Sequence, residues 1–163
     1  MKGLAAKQMA YGYALAGNRD KSHCAFDTAM GWLAQPVRED DAVLQRSLAD
    51  DDLFAVYQAT CDVYLGYGER VIPVLEPRMQ SLTKSLRTAT ITRAKLARAY
   101  ANAGQPEQAC RVAWDTLDAI EQIDSQSARN ELHRAVPVLN RWHGRSDVQD
   151  IVHRLGRNRA STM

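Results

Sequence analysis

The apolar and polar positions of this chain fall into long segments rich in Ala, Leu, Arg and Gln, separated by clusters of Gly and Pro. No segment sustains the alternation of β-branched and polar residues that marks a half-buried strand, so the pattern predicts an all-α protein. It places helices at roughly 2–16, 20–34, 39–48, 52–66, 69–83, 86–103, 106–122, 125–141 and 146–156. Gly17-Asn18-Arg19-Asp20 stops one helix and caps the next, and Asp50-Asp51-Asp52 sets carboxylates beside the free amides of a helix start. In Gly104-Gln105-Pro106-Glu107, Gly ends a helix, Pro pre-sets the first turn of the next and Glu sits near its positive end. The recurring unit is helix, tight turn, helix.

Two units share one internal pattern. Met9-Ala10-Tyr11-Gly12-Tyr13-Ala14-Leu15-Ala16-Gly17 is followed by Phe26 and Ala29. Leu96-Ala97-Arg98-Ala99-Tyr100-Ala101-Asn102-Ala103-Gly104 is followed by Ala109, with Ala113 where an aromatic would stand. The pattern resembles the tetratricopeptide repeat (TPR), in which a small residue and an aromatic at helical spacing precede a turn glycine. In a third unit, Tyr57, Tyr64 and Gly68 take the Trp, Tyr and turn-glycine places, but Pro73 and Pro77 fall where Ala and Phe are wanted. Tyr13 and Tyr100 lie 87 residues apart, which is no multiple of the usual spacing of about 34; an extra helix near Asp40 to Leu48 and the irregular middle unit account for this. A lone hairpin cannot bury its apolar face, so the expected fold is antiparallel helical hairpins stacked as a short TPR-like right-handed solenoid. Small residues at Ala10 and Ala97 allow close helix approach. Met9, Tyr13, Phe26, Ala29, Leu96, Ala97, Tyr100 and Ala109 are expected to be scaffold. One domain would span residues 1–156, with 157–163 a basic, flexible C-terminal tail.

From about Asp52 onward the chain also resembles the C-terminal tetratricopeptide-like region of actinobacterial helix-turn-helix transcriptional regulators. The stretch Leu96 to Cys110 carries this, followed by Ser127-Ala128-Arg129-Asn130-Glu131-Leu132. The resemblance implies a helical sensor or adaptor linked to transcriptional regulation. The given sequence opens on a repeat helix with no helix-turn-helix pattern before it, so the expectation is either a regulator without its own reading head or a fragment of a longer one, and no direct nucleic-acid binding by these residues is expected.

Composition narrows this picture. At 163 residues and 18.2 kDa, with 45% hydrophobic and 25% charged residues, the chain is neither disordered nor collagenous. Lys plus Arg (21) nearly balance Asp plus Glu (19), and a net +2 excludes binding to nucleic acid by bulk charge. Cys24, Cys61 and Cys110 form no CxxC pair and are read as small buried thiols. No apolar run approaches the roughly 18 residues of a membrane span and no secretory leader is evident, so the expected location is the cytoplasm.

Chemistry-bearing residues give little. His133, His143 and His153 recur every ten residues, about 80° short of whole helical turns, with Gly144 between the last two, so they form no ligand face. Glu39-Asp40-Asp41 and Asp50-Asp51-Asp52 read as helix caps. No P-loop, EF-hand, GxSxG or HExxH is present, so no enzyme activity, metal or cofactor is expected. Residues 129–163 hold seven Arg against three acids, a net +4 over a body of −2. Arg154, Arg157 and Arg159 could form a basic tip, although a solvated tail is the simpler reading.

The TPR resemblance implies a concave face formed by first helices, and it points Lys7, Tyr11, Gln58, Asp62, Ile91, Arg98 and Asn102 into a peptide groove. Lys7 or Arg98 would pair a carboxylate there, and Asn102 would bond a peptide backbone. The partner expected is a peptide or protein. An alternative is a small-molecule sensor with a pocket among Tyr57, Tyr64, Tyr67, Trp114 and Trp142. On the first hairpin, Leu4, Met9 and Trp32 should form an exposed apolar face, from which a two-fold homodimer is expected.

Overall fold

The computed structural model describes residues 2–34, 51–79 and 85–160. Among them are eight α-helices and no strand: α1 (Lys2–Leu15), α2 (Arg19–Leu33), α3 (Asp51–Tyr64), α4 (Gly68–Arg78), α5 (Leu86–Asn102), α6 (Pro106–Ile123), α7 (Gln126–Leu139) and α8 (Ser146–Ala160). A 3-10 turn, Asn140–Trp142, follows α7. The protein is all-α. The helix expected at 39–48, with Glu39-Asp40-Asp41 and Asp50, lies outside the described residues, as do positions 161–163. The chain divides into two compact units, Met1–Gly66 and Tyr67–Met163.

The helix ends follow from local chemistry. Asn18, Ser85 and Ser125 each accept a hydrogen bond from a backbone amide of the helix they cap. At the other pole, Gly17 and Gly104 both adopt φ of +73°, which a side chain would oppose. Around Gly17, its N–H donates to the Ala14 carbonyl (3.0 Å) and Asn18 N–H donates to the Tyr13 carbonyl (2.8 Å). Around Gly104 the same pair runs to Ala101 (3.2 Å) and, from Gln105, to Tyr100 (2.9 Å). These are two copies of one Schellman turn.

The third such glycine is Gly66, with φ of +91° and its N–H on the Val63 carbonyl at 3.3 Å. The left-handed turn glycine is thus Gly66, two residues before the Gly68 expected from sequence. Ala59 of α3 is buried, and Val71 and Leu75 of α4 are fully buried. Pro73 and Pro77 are exposed. Gly68, read from sequence as the turn glycine, has a different task.

In the first unit, Gly3, Ala10 and Ala14 of α1 meet Ser22, Ala29 and Leu33 of α2. The Ser22 hydroxyl is buried and donates to the Ala10 carbonyl at 3.0 Å, which satisfies it across the helix pair. Helix α3 packs on α1, and more lightly on α2.

In the second unit α5 is central, with α4, α6 and α7 all packed against it. It is buried round most of its circumference, by Ala89, Ala94, Ala97, Ala99 and Ala101 together with Leu96 and Tyr100. A Cβ at Gly68 would collide with the Ala99 carbonyl and stand 2.6 Å from the Ala103 nitrogen, so α4 begins in direct contact with the α5 backbone. Near that junction the Tyr100 hydroxyl donates to Glu76 Oε1 at 2.5 Å. Leu117 and Ile120 of α6, Leu132 and Leu139 of α7, and Val148, Ile151 and Leu155 of α8 complete the core.

Of the expected scaffold residues, Ala29, Leu96, Ala97, Tyr100 and Ala109 are buried, while Tyr13 and Phe26 are half-buried. Met9 departs from that expectation at 54% exposure. The cysteines divide: Cys61 and Cys110 are buried, but Cys24 lies on the exposed side of α2.

Gly68→Ala should lower stability by about 2–3 kcal/mol through backbone overlap, whereas Gly12→Ala, with open space around it in α1, should raise it by about 0.5–1 kcal/mol. Chemical denaturation of the two variants reads both signs. Alkali should also weaken the fold. Burial, then the Glu76 carboxylate, raises the Tyr100 phenol from 10.0 to about 12, and burial with Asp147 raises the Cys110 thiol from 9.0 to about 11. Both groups keep protons in the folded chain that the unfolded chain releases. Their contribution is complete below about pH 9 and is lost as pH climbs to about 12. Denaturation midpoints across that range should fall, and Tyr100→Phe should remove the upper part of the decline.

Candidate functional site

Helix α1 turns Lys7 and Tyr11, one helical turn apart, toward α3. The Lys7 ammonium lies 4.0 Å from the Tyr57 ring centre and 5.9 Å from that of Tyr11. Tyr11 meets Tyr64 edge-on at 6.0 Å, and Phe54 meets Tyr57 in the same way at 6.5 Å. A cation is thus held by ring faces, where the aromatic quadrupole replaces part of its lost hydration. Burial lowers the Lys7 pKa from 10.5 and raises that of Tyr57 from 10.0, each by disfavouring its charged form. Such an ammonium is oriented and partly desolvated, a state suited to pairing with a carboxylate.

Gln58 is exposed and Asp62 half-buried on α3. At 100° per residue they lie about 100–160° round α3 from Tyr57 and Tyr64, on a different side of the helix from the Lys7 cluster. Sequence reasoning placed Tyr57 in a different pocket. Its partnership with Lys7 depends on the approach of α3 to α1, which spacing along one helix does not encode.

In the second unit, Ile91, Arg98 and Asn102 share one partly exposed stripe of α5. Lys95 belongs to the same stripe and is also partly exposed, a member missed from sequence although its spacing of four from Ile91 and three from Arg98 was available. Asn102 sits beside Gly68, its Cβ 2.9 Å from where a Cβ at that position would stand. The stripe therefore offers an apolar side chain, two cations and an amide along about three turns of helix.

Other candidates resolve into structure. His143 and His153 are exposed, His23 and His133 half-buried, and no group of three or more His, Cys, Asp or Glu among the described residues is arranged to hold a metal ion. The basic segment is largely paired: Arg129 to Asp124, Arg134 to Glu131, Arg145 to Asp147 and Glu107, and Arg154 to Asp118 and Glu121. Arg154 also covers Trp114 at 4.9 Å, so it is folded back onto α6 and not offered as part of a basic tip. Of the aromatics assigned to a small-molecule pocket, Tyr57 and Tyr64 contribute to the Lys7 cluster, and Arg70 lies over Tyr67 at 5.1 Å. No helix among the described residues is long and apolar enough to cross a membrane. Comparison with family models, curated proteins and solved structures gives no match to this chain.

The Lys7 environment has a direct readout. After reductive methylation with a carbon-13 label, the Lys7 resonance should titrate below the ordinary lysine range. Tyr57→Ala, which reopens the site to water, should move it back toward the ordinary lysine range.

Proposed function

We propose that this chain is a TPR-like helical-repeat domain that binds an extended peptide or a segment of a partner protein, as a sensor or adaptor linked to bacterial transcriptional regulation. One observation carries the reading. A left-handed turn glycine recurs at Gly17, Gly66 and Gly104, and seven residues before each stands a buried alanine, Ala10, Ala59 and Ala97. A left-handed glycine turn with a buried alanine two helical turns before it thus recurs three times along the chain, which supports reading it as a set of like helical units.

Each unit carries one residue set, and the ligand chemistry of each is read by itself. Lys7 among its tyrosines and the Lys95–Arg98 pair of α5 favour carboxylates, Asn102 can bond a peptide backbone, and Ile91 can seat an apolar side chain. An acidic, extended peptide meets these demands better than a neutral one. No covalent chemistry is called for.

Fluorescence anisotropy against extended peptides, with and without acidic residues, tests this. Wild type should prefer the acidic set, and Lys7→Gln or the Arg98→Gln, Asn102→Ala pair should weaken binding about tenfold, roughly 1.4 kcal/mol. Equal affinity of wild type and both variants for every peptide would sink the assignment of both residue sets. Unchanged circular dichroism would exclude misfolding as the cause of any loss.

A further inference from the structure

Helix α1 has a second working side, independent of the proposed peptide-binding residues. Positions 6, 9 and 13 lie about 120–180° round the helix from Lys7 and Tyr11, the side that faces α3. Together with α2 they form an open groove of about 340 Å³, lined in its middle by Ala6, Met9, Cys24 and Ala25 and toward one end by Tyr13 and Lys21. Met9 stands out of it at 54% exposure, and Trp32 continues the apolar strip at 42%. Monomeric surfaces seldom leave two large apolar side chains so open on one strip.

The ends of the strip are basic and its outer edge acidic. Lys2 lies over the Trp32 ring at 4.9 Å and Lys21 over Tyr13 at 5.7 Å, while the exposed Asp20 and Asp27 follow the outer side of α2. The face therefore carries a projecting methionine beside a seat lined with alanine, and two cations beside two anions. An acidic or a basic partner would complement only one sign of charge. A two-fold copy complements both, since each protomer brings a knob for the other's seat and a carboxylate for the other's lysine. We propose that the outer face of the α1–α2 pair is an interface between two copies of this chain.

Cys24 supplies a reporter within the groove, because it is exposed while Cys61 and Cys110 are buried. Sedimentation velocity of the full chain, from low to hundreds of micromolar, should show a reversible dimer. Labelling of Cys24 by a thiol reagent should slow at least about tenfold over the same concentration range. Met9→Glu should weaken association at least about a hundredfold and abolish that protection, while Met9→Leu should keep both. A chain that stays monomeric throughout overturns the proposal and leaves the groove to another occupant. So does a dimer in which Cys24 labels at an unchanged rate, or one that Met9→Glu leaves intact. Peptide affinity is measured separately, so the two readings can fail independently.

Discussion

The second unit depends on a single steric constraint: α5 is packed by three other helices at once, and a helix so enclosed can carry bulk on only a few of its sides. Alanines at 89, 94, 97, 99 and 101 meet that constraint, and Leu96 and Tyr100 supply the volume. Gly68 carries the same logic to its limit, because there the backbone of α4 meets the backbone of α5 with no room for a methyl group. What remains accessible on α5 includes the stripe from Ile91 to Asn102. Packing and the candidate binding surface are thus two consequences of one arrangement, since the residues excluded from the core are those left to meet a ligand.

The first unit uses the same economy differently. Gly3, Ala10 and Ala14 bring α1 onto α2, and Ser22 is buried without penalty because its hydroxyl reaches the Ala10 carbonyl. This leaves α1 with two opposed sides. One receives α3 and holds Lys7 in an aromatic setting; the other holds Met9 out toward solvent. A helix in this position can serve two surfaces without either compromising the other. The charges of the C-terminal segment are spent in another way, with Arg145 and Arg154 tying α8 to α6 through Glu107, Asp118 and Glu121. Exposed pairs of this kind contribute little each, and their effect is to fix geometry more than to add stability.

Much of the fold was legible along the chain. The turns at Gly17 and Gly104 could be read because a Schellman cap is local, needing a left-handed residue and two nearby carbonyls. The middle unit misled for the same reason: Tyr57 and Tyr64 have the spacing of a repeat and Gly68 that of its turn, while the turn chemistry belongs to Gly66, two residues away. A tyrosine pattern reports spacing, and spacing alone cannot distinguish a turn glycine from a packing glycine. The cysteines were misjudged likewise, since small size favours burial but only the neighbours of α2 decide that Cys24 stays exposed. Of the candidate site, Ile91, Arg98 and Asn102 share a stripe that follows from helical periodicity, and Lys95 could have been added by the same rule.

The all-helical character, the helix limits and the recurring small residues were determined by the amino-acid sequence itself, because propensity, capping and turn chemistry act over a few residues. Tertiary structure alone decided that α5 is enclosed by three helices, that Tyr57 and not a distant residue faces Lys7, and that Met9 has no helix over it among the described residues. Those outcomes depend on which helix faces meet. Many helical faces here present similar mixtures of alanine and larger apolar groups, so the pairing is selected by the summed fit of whole surfaces and not by any short stretch.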